Sequence, residues 1–290
     1  MKTIKGLGIF TFFILLSGCF SPPEFSNVPK IDYESIVFRA GATGAADTLI
    51  LSLTFQDGDG DIGLSDEETD PPFHSTNYYI ENGGDTTRLA TVSRYSTTPP
   101  VIEVPKGTKG KLVTHRTRKK LVGGQKVYEN IFPPYVDPYR CTSYRYDSIF
   151  VSAPDTAIFS KSGYFLDRVM HSNIGNPDLY VLKDTFYFKP NPYAKNIIIE
   201  FWVQQDNNSF EKFALPINLT NCLTFPDFFS ARVPHLSENS SPVQGTLKYK
   251  MTSTGLKPFF GGKTIKLKVR LYDRALHASK TIETPTFQIR

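Results

Sequence analysis

The chain predicts an all-β protein, an Ig-like antiparallel β-sandwich that carries a long, loop-rich insertion. Three observations lead there. Runs of alternating apolar and polar residues recur between clusters of Gly, Pro, Asn and Asp, the pattern of half-buried strands joined by turns. No stretch holds the period of an amphipathic helix. A chain of 290 residues with 40% hydrophobic and 13% aromatic content is long enough and apolar enough to bury a sizeable core.

Taken in order, residues 1–18 have the make-up of a signal peptide. Lys2 and Lys5 form a positive start, Leu7 to Leu16 an apolar run, and small residues then lead to Cys19. The stretch Leu16-Ser17-Gly18-Cys19 resembles the bacterial lipobox, which implies cleavage before Cys19 and lipidation of that residue. An ordinary secretory signal containing a cysteine is the alternative. No later segment reaches the roughly 20 apolar residues that cross a bilayer, so the acyl chains (palmitate among them) are the expected anchor. One chain holds only marginally, whereas several hold durably. Residues 19–30, with Pro22, Pro23 and Pro29, have the composition of an extended tether.

The domain expected over residues 31–290 is built from β-type runs at Ser35–Ala40, Asp47–Phe55, Asn77–Ile80, Val101–Val104, Ser148–Ser152, Thr185–Phe188, Asn196–Gln204, Gly245–Met251, Lys263–Tyr272 and Thr284–Ile289. Alternation is clearest where Ile265, Leu267, Val269 and Leu271 interleave with Lys266, Lys268 and Arg270, and where Leu247, Tyr249 and Met251 interleave with Lys248 and Lys250. A hairpin of these two runs would line up their lysines as a cationic ridge. Trp202, between Phe201 and Val203, is expected in the core. Residues 86–190 form the expected insertion, whose Tyr- and Pro-rich passage includes Tyr135, Tyr139, Tyr144 and Tyr146. Such tyrosines either cover the core or make a binding surface.

Net charge is +5, but it is distributed unevenly. Between Ile31 and Asp85 the only Lys or Arg is Arg39, and between Thr86 and Lys126 the only Asp or Glu is Glu103. The basic run either solvates the surface or faces an anionic partner. Arg116, Arg118, Lys119, Lys120, Tyr135 and Tyr139 are the candidate partner-binding residues. An exported, anchored chain has no occasion to meet nucleic acid. Beyond Cys19 two cysteines remain, Cys141 and Cys222, and an oxidising compartment suits either a disulfide between them or two separate thiols. A bridge closing that loop would contribute roughly 4 kcal/mol.

The sharpest chemistry lies in Asp57-Gly58-Asp59-Gly60-Asp61-Ile62-Gly63-Leu64. Three carboxylates at every second position converge when glycines let the backbone curl, and such hard oxygen clusters select Ca²⁺. Asp57, Asp59, Asp61 and Glu68 fall at positions one, three, five and twelve of an EF-hand loop. Ile62 stands where its turn glycine belongs, and a strand rather than a helix precedes it, so a Ca²⁺-binding β-loop is the better reading. Asp66, Glu67 and Asp70 are spare ligands, and a plain Asp/Gly turn is the alternative. The five histidines lack metal spacing, and no G-x-S-x-G, H-E-x-x-H or C-x-x-C motif is present. The expected action is therefore binding rather than catalysis.

Phe55 to Leu64, together with Leu271-Tyr272-Asp273-Arg274-Ala275-Leu276 and Glu283-Thr284-Pro285, resembles a group of Bacteroidota outer-membrane lipoproteins to which no activity is attached. The resemblance covers both ends of the chain and little of the middle. It implies an Ig-like sandwich and an envelope setting. It also implies candidate O-glycosylation within Asp-Ser/Thr tripeptides, at Thr86, Ser148 and Thr156, and at Thr48 unless that residue is buried. The functional expectation is an accessory or interaction subunit of an outer-membrane protein complex, on either face of that membrane. A glycan-binding lipoprotein of a nutrient-uptake system is the alternative.

Overall fold

The computed structural model describes residues 24–82, 85–88, 90–92, 101–103, 111–113, 119–122, 125–128, 143–152, 166–170, 178–214, 229–237 and 241–290. The chain opens with β1 (Lys30–Arg39) and β2 (Asp47–Asp57). The insertion follows as β3 (Thr76–Asn82), β4 (Asp85–Arg88), β5 (Ala90–Val92), β6 (Val101–Glu103), β7 (Lys111–Leu112), β8 (Lys119–Val122), β9 (Gln125–Tyr128), β10 (Tyr144–Ser152), β11 (Leu166–Met170) and β12 (Asp178–Pro190). The chain then returns through β13 (Ile197–Gln204), β14 (Phe210–Lys212), β15 (Val243–Ser253), a short helix at Leu256–Phe260, β16 (Thr264–Leu271), β17 (Ile282–Glu283) and β18 (Phe287–Gln288).

Two antiparallel sheets make the sandwich. One has the order β1-β2-β15; the other runs β14-β13-β16-β17, with β18 also on β16. Period-two alternation sends one face of each strand inward. Leu49, Leu51, Leu53 and Phe55 of β2 meet Ile197, Ile199, Phe201 and Val203 of β13 and Ile265, Leu267, Val269 and Leu271 of β16 in one buried cluster. Each such side chain contributes about 1.5–3 kcal/mol when fully withdrawn from water. Phe201 lies at the centre, stacked at 4.7 Å on Phe260 of the short helix.

The lysine-bearing runs do not form a hairpin. β15 pairs with β2 and β16 with β13, because the apolar faces of both runs enter the same core from opposite sides. Lys248 and Lys250 are thus on one outer face, and Lys266, Lys268 and Arg270 on the other. Trp202 also departs from expectation. Phe201 and Val203 take the inward positions, so Trp202 faces outward, where it donates to Glu200 (3.1 Å) and Lys268 sits 3.9 Å over its ring. Of the expected run Thr284–Ile289 only Phe287–Gln288 is strand (β18); β17 ends at Glu283, just before Pro285, which has no N–H to give a ladder.

The inserted segment carries its own eight-stranded sheet, ordered β4-β3-β12-β10-β6-β5 with β11 on β12 and β7 on β3. It begins at Thr76, earlier than the expected start near 86. Tyr144, Tyr187 and Val113 are buried together within it. The described end of the expected tether is also not free. Pro29 is buried and Lys30 already belongs to β1.

Candidate metal centre

Asp57 is the last residue of β2, and its inward register makes it wholly buried, with 0% exposure. The loop that follows curls back on itself. The N–H of Asp61 donates to Oδ2 of Asp57 (3.0 Å), while Oδ2 of Asp61 accepts from the N–H of Ala275 (3.0 Å). One oxygen of Asp57 and one of Asp61 are thereby held by backbone. Oδ1 of Asp57, of Asp59 and of Asp61 is buried with no hydrogen-bond partner. The three residues offer oxygens within 4.8 Å of one another, inside the span of about 5 Å that two oxygens on one Ca²⁺ can reach.

Neighbouring segments hold the loop in this form. The N–H of Gly58 donates to the carbonyl of Ser26 (2.9 Å). A Cβ at Gly58 would lie 2.4 Å from the carbonyl oxygen of Phe25, so only glycine allows that approach. Gly63, at φ +133°, lies against the backbone of His235, and the N–H of Leu64 donates to Val233 (2.7 Å). Beyond it, Arg232 staples the irregular stretch up to Phe73. Its guanidinium donates to the carbonyls of Ser65 (2.6 Å), Glu68 (2.9 Å), Phe73 (2.8 Å) and Ala194 (2.9 Å). Carbonyls without a ladder thus find a single fork-shaped donor.

The electrostatics of the cluster are unfavourable. Burial first, then repulsion from Asp59 and Asp61, pushes the carboxyl of Asp57 up to about 6. Asp61 is raised by burial and by the charges of Asp273 and Asp59. At 4.8 Å, two unit charges repel by about 1 kcal/mol in water and by about 3.5 kcal/mol at an effective dielectric near 20. A divalent cation at the three free oxygens would reverse the sign of these terms.

Glu68 does not join the trio. It accepts from the N–H of Ser65 (2.7 Å) and pairs with His235 (2.7 Å) and Arg274 (3.3 Å). These partners outweigh its burial and hold its carboxyl below the usual range. The EF-hand register failed here because a loop without the turn glycine at Ile62 carries position twelve to another place. Asp66, Glu67 and Asp70 are exposed, and among the described residues the only metal-type grouping is Asp57, Asp59 and Asp61. Asp273 was missed as a neighbour of the site. Its sequence signal was its place in the Asp273-Arg274-Ala275-Leu276 signature, which carried no chemistry by itself.

Ser148 lies half-buried in β10, and the Asp147 carboxylate before it is engaged by Tyr78 (2.6 Å) and Arg145 (2.8 Å). Thr48 lies in β2, with its hydroxyl 3.3 Å from that of Thr252. Thr86 is in β4, and Lys119 and Lys120 are in β8. Tyr144 is buried at 2% exposure, whereas Tyr146 of the same strand is 70% exposed. Cys19, Cys141, Cys222, Arg116, Arg118, Tyr135, Tyr139 and Thr156 lie outside the described residues.

No protein-family model matches the chain, and no curated protein or solved structure matches it. Fold and site define an all-β protein with a cluster of three converging carboxylates at one end of a sandwich.

Proposed function

We propose that the chain is a lipid-anchored outer-membrane protein that acts by binding, as an accessory subunit of an envelope protein complex, with Ca²⁺ ordering one end of its sandwich. The observation that carries the ion is the convergence of three buried, unpartnered oxygens on Asp57, Asp59 and Asp61. Carboxylates are hard ligands, and Ca²⁺ takes six to eight oxygens in adaptable geometry, so backbone carbonyls or waters complete the shell. The role of the ion is structural: it removes the repulsion that strains the loop between β2 and the insertion. The envelope setting is supported by the Leu16-Ser17-Gly18-Cys19 stretch and by the resemblance to Bacteroidota lipoproteins. A glycan-binding role draws less support, because Tyr144 is buried and gives no ring to an aromatic platform.

Thermal melting with and without metal tests the ion. At a hundredfold excess over its Kd a bound ion stabilises by about 2.7 kcal/mol, which for a domain of this size raises Tm by roughly 5–10 °C. A chelator should remove that increment and Ca²⁺ restore it; an unchanged melt would sink the ion. Affinity purification from detergent-solubilised envelope tests the rest. A stoichiometric membrane-protein partner supports the subunit role, while retention on polysaccharide with no such partner would replace it with the glycan reading.

A further inference from the structure

Asp273, just past the end of β16, is 2% exposed, and its charge is among those felt at both Asp57 and Asp61. Its carboxylate caps the turn that follows, accepting from the N–H of His277 (2.7 Å) and lying 2.8 Å from Nδ1 of the same residue. That turn is pressed against the acidic loop. The N–H of Arg274 donates to the carbonyl of Asp61 (3.3 Å), and the N–H of Ala275 holds Oδ2 of Asp61 (3.0 Å). Leu276, in the same turn, has φ 69°, a costly conformation for a branched side chain that persists only where surrounding contacts impose it. Asp57, wholly buried, directs an unpartnered oxygen toward those of Asp59 and Asp61.

We propose that Asp273 is the fourth acidic residue of the cation site, a positioning residue whose capped turn aims Asp61 and whose charge adds to the field that draws the ion. This rests on Asp57, Asp59 and Asp61 being the ligands. A carboxylate whose two oxygens already serve His277 has no need to touch the metal. It acts through Asp61: with Oδ2 tied to the turn, Oδ1 is left for the ion. The two ends of the chain that carry acidic signatures therefore form one site.

The test is calorimetric titration of the purified protein with CaCl₂, alongside melting of the metal-free form. Asp273→Asn keeps an oxygen for the His277 amide and removes one charge from a repelling group. Its Ca²⁺ affinity should fall about tenfold or more, while its metal-free Tm should be no lower than wild type. A purely architectural role would do the opposite, lowering Tm with and without metal and leaving affinity unchanged, and would overturn the proposal. His277→Gln, at a half-exposed position, leaves the charge in place and should bind Ca²⁺ at least as tightly as wild type. A loss there would mean that the imidazole, not the carboxylate, serves the site. A wild-type protein that binds no Ca²⁺ while retaining its melt would bring down the ligand assignment itself, and Asp273 with it.

Discussion

Asp57 concentrates the tension of the molecule in one side chain: it is buried as deeply as the leucines of its own strand, yet it faces two other carboxylates. Replacing it by Asn should abolish the Ca²⁺-dependent rise in Tm while leaving the metal-free protein as stable as before, or more stable by about 1 kcal/mol, since a repelling charge is lost. Melting curves of the variant with and without Ca²⁺ check both halves. The same residue sets a pH dependence. Its carboxyl rises from 3.8 unfolded to about 6 folded, so between those values the folded state binds more protons than the unfolded one, and stability falls as pH climbs through that window. Protons and the proposed Ca²⁺ would compete for the same oxygens. The Ca²⁺ increment in Tm should therefore be small near pH 4.5, grow as pH passes about 6, and level off above; an increment independent of pH would contradict this.

The long strands of the sandwich were legible because each is half-buried and at least eight residues long, as in the alternation of Ile197–Gln204 and Thr264–Leu271. Strands such as β5 and β7, of three and two residues, are too short for any period to register. The pairing of β2 with β15 was not legible, since the apolar face of β15 fits either a hairpin with β16 or a place opposite it. The acidic loop was readable as chemistry, but its partner turn was readable only as a signature. Arg232 gave no signal whatever, because a fork that serves four carbonyls from separate segments has no local pattern. Arg232→Ala should strip those carbonyls of their donor and cost about 2–4 kcal/mol, and Arg232→Lys should recover only part of it, as one ammonium cannot span the four positions. Denaturant unfolding of the two variants checks the order.

In the molecule as a whole, the two sheets enclose one core and the insertion leaves and rejoins it beside the carboxylates, at the end of β2 and the start of β13. The segment Pro192–Ala194 and the Asn191 side chain, which donates to the carbonyls of Pro72 (2.6 Å) and His74 (2.7 Å), tie that crossing together. The acidic loop is therefore the junction between the sandwich and the inserted sheet, so that an ion bound there would have leverage over both. Hydrogen exchange should report this: removing Ca²⁺ should speed exchange of amides in residues 58–64 and 273–277, while the amides of β13 and β16 stay protected. Faster exchange spread evenly over all strands would instead indicate loss of the global fold.

The hydrogen bond from Gly58 to Ser26 also sets the segment before β1 and the carboxylates at one pole of the sandwich. Residues 24–29 lie at the same pole as the carboxylates, so the anchor proposed at Cys19 would join the sandwich at its acidic end. β2 reaches this pole from the far end over eleven residues, about 35 Å at strand rise. At the opposite pole, beside the start of β2 and the end of β15, sits the helix Leu256–Phe260, with Phe259 still 38% exposed. The two poles thus differ in chemistry, an aromatic tip at one and a carboxylate cluster at the other.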